Sequence, residues 1–178
     1  MKVLCLLADG FETGEALVPV DVLRRGKQEV VMAAIGDKKV ISSHKVAVEA
    51  DCLLCETDYK DFDCLFLPGG AGHKLLEASE EVRDIIHYFE KEHKYIATIC
   101  ASGAILGRMG ILKGKHYTCF PDENGEFGGT YHKQYAVRDD NIITGMSLAA
   151  ALDFGLLLLE TLSGKDTAEE VKARIYYQ

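Results

Sequence analysis

Three short motifs hold residue types that could carry chemistry. In Ile99-Cys100-Ala101-Ser102-Gly103 a thiol follows an apolar run and precedes a helical pattern. In open α/β sheets ligands gather beyond the carboxyl ends of the strands, so a strand-to-helix junction presents its side chain where substrate binds. A cysteine there gains twice. The helix N-terminus favours a thiolate, and neighbouring peptide N–H groups can hold an oxyanion. The tight turn also tends to force an unusual backbone conformation that pushes the side chain outwards. On position alone, the small buried apolar residue that most cysteines are remains the stronger reading of Cys100.

The second motif is Leu67-Pro68-Gly69-Gly70, which stops another short apolar run. Glycines let backbone N–H groups approach an oxyanion closely, although by itself this motif reads first as a strand-ending turn. The third is Glu15, in the opening turn of a helical pattern. An acid there complements the helix dipole, at roughly 0.3–1 kcal/mol, and from position alone that is the preferred role. Facing the cysteine, a buried carboxyl would instead have a raised pKa and could shuttle protons. A carboxylate beside a thiolate is a like-charge pair, so one of the two must hold a proton. With a helix N-terminus behind Cys100, the proton is expected on Glu15.

The elements that must position these residues alternate between strand and helix. Strands are expected at Lys2–Leu7, Glu29–Ala34, Lys45–Ala50, Cys64–Leu67, Tyr95–Ile99 and Ile142–Thr144. Helices are expected at Glu15–Arg25, closed by Gly26, and at Glu80–Lys91, where Val82, Ile85, Ile86 and Phe89 share a face. A further helix runs from the Cys100 junction to about Met109. Ser147 is expected to cap a long apolar helix ending near Gly164, and Thr167 to open a last short one. Such alternation points to a parallel sheet covered on both faces. The stretch from Lys113 to Arg138, rich in glycine and aromatics, reads as loops or a small β excursion near the site.

A chain of 178 residues suits one domain spanning 1–178 with one sizeable core. The net charge of −8 argues against nucleic acid as a partner, since phosphate binding needs a basic footprint. The first apolar run is cut short by Asp9-Gly10, and the stretch Leu148 to Leu159 is interrupted by Asp153. Neither suits a signal-peptide core or a membrane span. A cytoplasmic location is therefore expected, with the six cysteines as reduced thiols.

Taken together, the motifs carry a resemblance. Leu7-Ala-Asp-Gly-Phe-Glu-Thr-Gly-Glu15, followed by Pro19-Val-Asp-Val-Leu-Arg-Arg-Gly26, resembles the first strand-helix unit of the ThiJ/PfpI superfamily. Leu67-Pro-Gly-Gly70 and Ile99-Cys-Ala101 resemble its glycine loop and nucleophile elbow. The ending, Leu162-Ser-Gly-Lys165 to Val171-Lys-Ala173, is similar to the branch of the Parkinson's-disease-associated protein deglycase. The resemblance covers nearly the whole chain. It implies a flavodoxin-like three-layer α/β sandwich with a mostly parallel sheet, of the class I glutamine amidotransferase type, and usually a homodimer. It also implies that Cys100 is a nucleophile hydrogen-bonded to Glu15, with backbone N–H groups of the Gly69-Gly70 loop and Ala101 as oxyanion donors. No cofactor or metal is expected. Members are described as glyoxalases, protein deglycases, chaperones, oxidative-stress sensors or peptidases. The partner implied is a small reactive carbonyl compound or a glycated protein.

Two positions depart from the family pattern. Many relatives place a histidine before the proline that follows the elbow helix, where this chain has Phe120 before Pro121. The peptidase-like branch has histidine directly after the nucleophile, where this chain has Ala101. Both departures weaken a Cys-His hydrolase and leave Glu15 as the main proton shuttle. Two readings remain open: a cysteine enzyme acting on reactive carbonyls, and a redox sensor or chaperone working through oxidation of Cys100. Other residues read as ordinary. Cys52 and Cys55 have CxxC spacing without a second ligand pair. His73, His87 and His93 flank a charged helix and read as solvated. His116 and His132 fall in the region of unclear structure. His44 lies where relatives carry a basic residue near the dimer interface, though a plain surface position is preferred. Gly125–Gly129 lacks the flanks of a phosphate loop, and Lys38-Lys39 is too short for an anion patch.

Overall fold

The computed structural model describes residues 1–178. In chain order its elements are β1 (Lys2–Leu7), α1 (Thr13–Arg25), β2 (Glu29–Ala34), β3 (Lys39–Ile41), β4 (Ala47–Glu49), β5 (Cys52–Leu53), β6 (Cys64–Leu67), α2 (His73–Ala78), α3 (Glu80–Lys91), β7 (Tyr95–Ile99), α4 (Gly103–Arg108), β8 (His116–Tyr117), β9 (Thr130–Tyr131), β10 (Ala136–Asp139), β11 (Ile142–Gly145), α5 (Ala151–Ser163) and α6 (Lys165–Arg174). Seven strands form the central sheet in the order β10-β11-β7-β6-β1-β2-β5. Every pair is parallel except β10 with β11. This is the mostly parallel, flavodoxin-like sandwich that the alternating pattern and the resemblance imply.

Both faces of the sheet are buried, which is why its central strands are mostly apolar, β6 at every position. Side chains alternate across a strand, so β1 serves two cores at once. Val3, Cys5 and Leu7 enter the core under α1, α5 and α6, with Val20, Leu23, Phe154 and Leu158. Leu4 and Leu6 enter the core under α3 and α4, with Val82, Ile86, Phe89 and Ile105. No helix is long and apolar enough to cross a membrane.

Some expectations need correction. The alternating segment Lys45–Ala50 holds only the short β4, which pairs with β3 as an antiparallel hairpin outside the central sheet. Alternation marks a half-exposed strand but does not name its partner. Ser147 makes no side-chain capping bond; a 3-10 turn, Leu148–Ala150, intervenes before α5. The last helix starts at Lys165, so Thr167 lies inside it, donating its hydroxyl to the Ser163 carbonyl at 3.3 Å. Within the stretch 113–138, β8 and β9 form a small parallel pair, the β excursion anticipated there.

Candidate active site

Parallel β1, β6 and β7 end on one edge of the sheet, and each delivers one motif. Cys100 follows β7 directly and opens a one-turn 3-10 segment, Cys100–Ser102, that leads into α4. Its φ is +61°, in the left-handed region that costs a side-chain-bearing residue about 1 kcal/mol. Neighbouring contacts hold this conformation. The Phe120 N–H donates to the Cys100 carbonyl at 3.2 Å, and the Ser102 hydroxyl donates to the Pro68 carbonyl at 2.5 Å. The second bond ties the elbow to the glycine loop.

That loop follows β6 and leans on the segment after β1. Glu12 N–H donates to the Gly69 carbonyl at 3.0 Å, and Phe11 and Gly70 form an isolated antiparallel bridge. Gly69 threads between the acid and the thiol. A Cβ there would lie 2.6 Å from Cys100 Cβ and closer still to Glu15 Oε2, so only glycine passes. Gly70 has φ +85°, and a Cβ on it would meet Glu12 N and Gly10 O at 2.5 Å.

Glu15 is 1% exposed, on the first turn of α1, whereas Cys100 at 9% reaches the cavity with its edge. Glu15 Oε2 is buried without a hydrogen-bond partner of its own. Desolvation pushes the carboxyl up to about 7. The Cys100 thiol and the N–H groups of Gly69 and Leu148 act in the opposite direction without overcoming it. Glu15 is therefore about half protonated near pH 7, and of the pair it is the group that ionises first, the reverse of the expected order. Burial also pushes the Cys100 thiol up, and the adjacent Glu15 adds to this, while the N–H groups of Ala101 and Gly70 favour the thiolate. The expectation that a helix N-terminus alone secures a thiolate is corrected here. Only a short 3-10 turn and the six-residue α4 lie behind the sulfur, and desolvation outweighs them. The charge is shared by the pair, and a protonated Glu15 removes its own repulsion from the sulfur. Of the backbone candidates, Gly70 and Ala101 face the sulfur, whereas Gly69 faces the acid.

The pair opens into a cavity of about 450 Å³ lined by Gly70, His73, Phe120 and Leu148 among others. Phe120 and Leu148 are partly exposed and make its rim apolar. His73 corrects the surface reading: it is 4% exposed and lines this cavity. Charge around α3 misdirected that reading, and the informative signal was the Gly-Gly-Ala-Gly run just before it. His87 and His93 are exposed, as expected of them. His44 is exposed and stands 3.5 Å from Glu12. His116 and His132 pair with each other at 2.7 Å, away from the cavity. Cys52 is half-buried at the sheet edge and Cys55 exposed; neither joins a metal-binding cluster.

Known proteins are similar to this chain in sequence and fold. The chain is 35% identical over 169 residues to protein DJ-1 homolog B of Arabidopsis thaliana, covering 93% of this chain but only 39% of that relative. It is 38% identical over 174 residues to DJ-1alpha of Drosophila melanogaster, covering 94% of this chain and 80% of the relative. Shorter matches of 118 residues reach a deglycase of Thermococcus kodakarensis, at 35% identity over 66% of this chain and 71% of the relative, and an isonitrile hydratase of Pseudomonas putida, at 34% over 65% and 52%. The crystal structure of Drosophila DJ-1beta superimposes with a TM-score of 0.92 at 31% identity, covering 99% of this chain and 98% of that one. The model of the DJ-1/PfpI family matches residues 1–161, and the chain belongs to that family.

Proposed function

We propose that this chain is a cysteine-dependent enzyme acting on small reactive carbonyl compounds, the 2-oxoaldehydes above all. The observation that carries this reading is the buried Glu15 carboxyl, with one oxygen unpartnered, beside a strained cysteine in an open cavity. Ionised Glu15 takes the Cys100 thiol proton as the sulfur adds to the aldehyde carbon, and passes it to the new alkoxide, which lies against the N–H groups of Gly70 and Ala101, giving the hemithioacetal and restoring the carboxylate. Glu15 takes the proton from the former aldehyde carbon and returns one to the neighbouring carbon, turning the hemithioacetal into the thioester of a 2-hydroxy acid. Water then cleaves the thioester, releasing the hydroxy acid and restoring the thiol. The same addition on a glycated side chain is deglycase chemistry, the activity that the Thermococcus relative's name states. Phe120 and Ala101, at the two positions where relatives carry histidine, favour this over amide hydrolysis, in which an amine leaving group needs a strong general acid.

The test is lactate formation from methylglyoxal by the purified protein. Turnover should vanish in Cys100→Ser and fall at least a hundredfold in Glu15→Gln, within the range general acid–base catalysis supplies. Wild-type protein without turnover rejects the reading. A redox role is the second reading, favoured by the upward shift of Glu15: a carboxyl that holds its proton up to about pH 7 can donate a hydrogen bond to a sulfinate on Cys100. In that case Glu15→Gln, which keeps a donor, still oxidises cleanly, whereas Glu15→Ala does not. The homodimer implied by the resemblance and the single domain over 1–178 are part of this proposal.

A further inference from the structure

His73 has no part in the steps above, yet it is among the best-buried polar side chains at the cavity. A buried imidazole needs partners. The Gly70 carbonyl accepts the His73 peptide N–H at 3.1 Å and lies 2.8 Å from Nδ1. A carbonyl only accepts, so Nδ1 must be the protonated nitrogen, and Nε2 is left to face elsewhere. Nε2 looks at Glu123 Oε1 across 3.9 Å, and the other Glu123 oxygen lies 3.7 Å from Arg108. Glu123 ends the turn Pro121–Glu123 behind Phe120, the residue bonded to the Cys100 carbonyl. One imidazole therefore holds the glycine loop and faces the opposite wall of the cavity. Gly70, with no side chain and a left-handed backbone, depends on such outside contacts to keep its N–H directed at the sulfur.

We propose that His73 is a positioning residue of this site: by holding the Gly70 carbonyl through Nδ1–H, it aims the Gly70 N–H at the Cys100 sulfur. The proposal rests on the reading of Cys100 as the reactive group, and it assigns His73 no contact with substrate.

Alkylation of Cys100 by iodoacetamide, read by peptide mass spectrometry from about pH 7 to 11, tests it in wild type, His73→Leu and His73→Asn. Exposed Cys55 is the internal control. Glu15, the titratable group facing the sulfur, is unchanged in all three. His73→Leu, without a donor, should shift the Cys100 midpoint upwards and slow labelling about tenfold at neutral pH, as one unit of pKa requires. His73→Asn, whose amide can replace Nδ1–H, should recover most of the rate. Equal rates in wild type and His73→Leu, or equal losses in Leu and Asn, would overturn the proposal. Should His73→Leu not fold, His73→Met, equally without a side-chain donor, carries the test: it should move the midpoint the same way, and no movement overturns the proposal. Wild-type Cys100 labelling no faster than the buried Cys5 and Cys64 would instead overturn the reading of Cys100 itself.

Discussion

Glu15 holds its proton up to about pH 7 because water is excluded from it. Its carboxyl is held at about 7 against an ordinary 4.5, so the folded chain binds that proton more tightly than the unfolded chain does. The stability this contributes is fully present below about pH 4.5 and is lost as pH rises through about 7, on the order of 3 kcal/mol in all. Glu15→Gln is neutral at every pH and suffers no such loss. Its stability relative to wild type should therefore grow between about pH 4.5 and 7. Urea unfolding of both proteins near the two ends of that window checks this. A difference independent of pH would mean that Glu15 ionises as freely in the fold as in water.

At the scale of elements, the elbow holds strain that the rest of the sheet edge must offset. Alanine normally exceeds glycine in stability by about 0.5–1 kcal/mol, because glycine loses more backbone freedom on folding. At position 100 the order should reverse. The φ of +61° suits glycine and penalises any side chain, so Cys100→Gly should be as stable as Cys100→Ala or about 1 kcal/mol more stable. Thermal melts of the two variants decide this, and the ordinary order would show that the elbow is relaxed. The contacts that impose this conformation come from two other loops: Pro68, through the Ser102 hydroxyl, and Phe120, through its N–H. Cleft geometry is thus a joint product of three strand ends, none of which would form it alone.

At the scale of the whole molecule, a sheet buried on both faces leaves its helices to meet solvent. Along α1, with Leu152 of α5 and Ile175 beyond α6, an apolar hollow is lined by Leu17, Val18 and Val22. The proposed homodimer gives this face one natural place to be covered. Sedimentation at micromolar concentration should give about twice the chain mass of 19.6 kDa. A species of single-chain mass would reject the dimer, and with it any approach of His44 to a partner's cavity.

Periodicity in the sequence already determined the layered α/β architecture. Buried strands such as Lys2–Leu7 and Tyr95–Ile99 and the amphipathic helix Glu80–Lys91 carry local patterns that burial imposes residue by residue. Cys100, the Gly69-Gly70 loop and Glu15 were legible as candidates because each ends a strand or opens a helix, and parallel strands send such junctions to one edge. Short pieces were not legible: β5 is two residues long, and β3 pairs by a hairpin that no periodicity announces. Nor was the charge state of the site, since the depression expected for the Cys100 thiol is reversed by desolvation, which depends on how completely three loops close over the sulfur. His73 shows the same limit from the other side. It stands between a glycine-rich run and Lys74, and only the tertiary fold turns its ring inwards, onto the Gly70 carbonyl and towards Glu123 some fifty residues along the chain. Local pattern reports which face of an element is buried; which distant groups meet there is decided by packing, because hydrogen bonds and desolvation act through space and not along the chain.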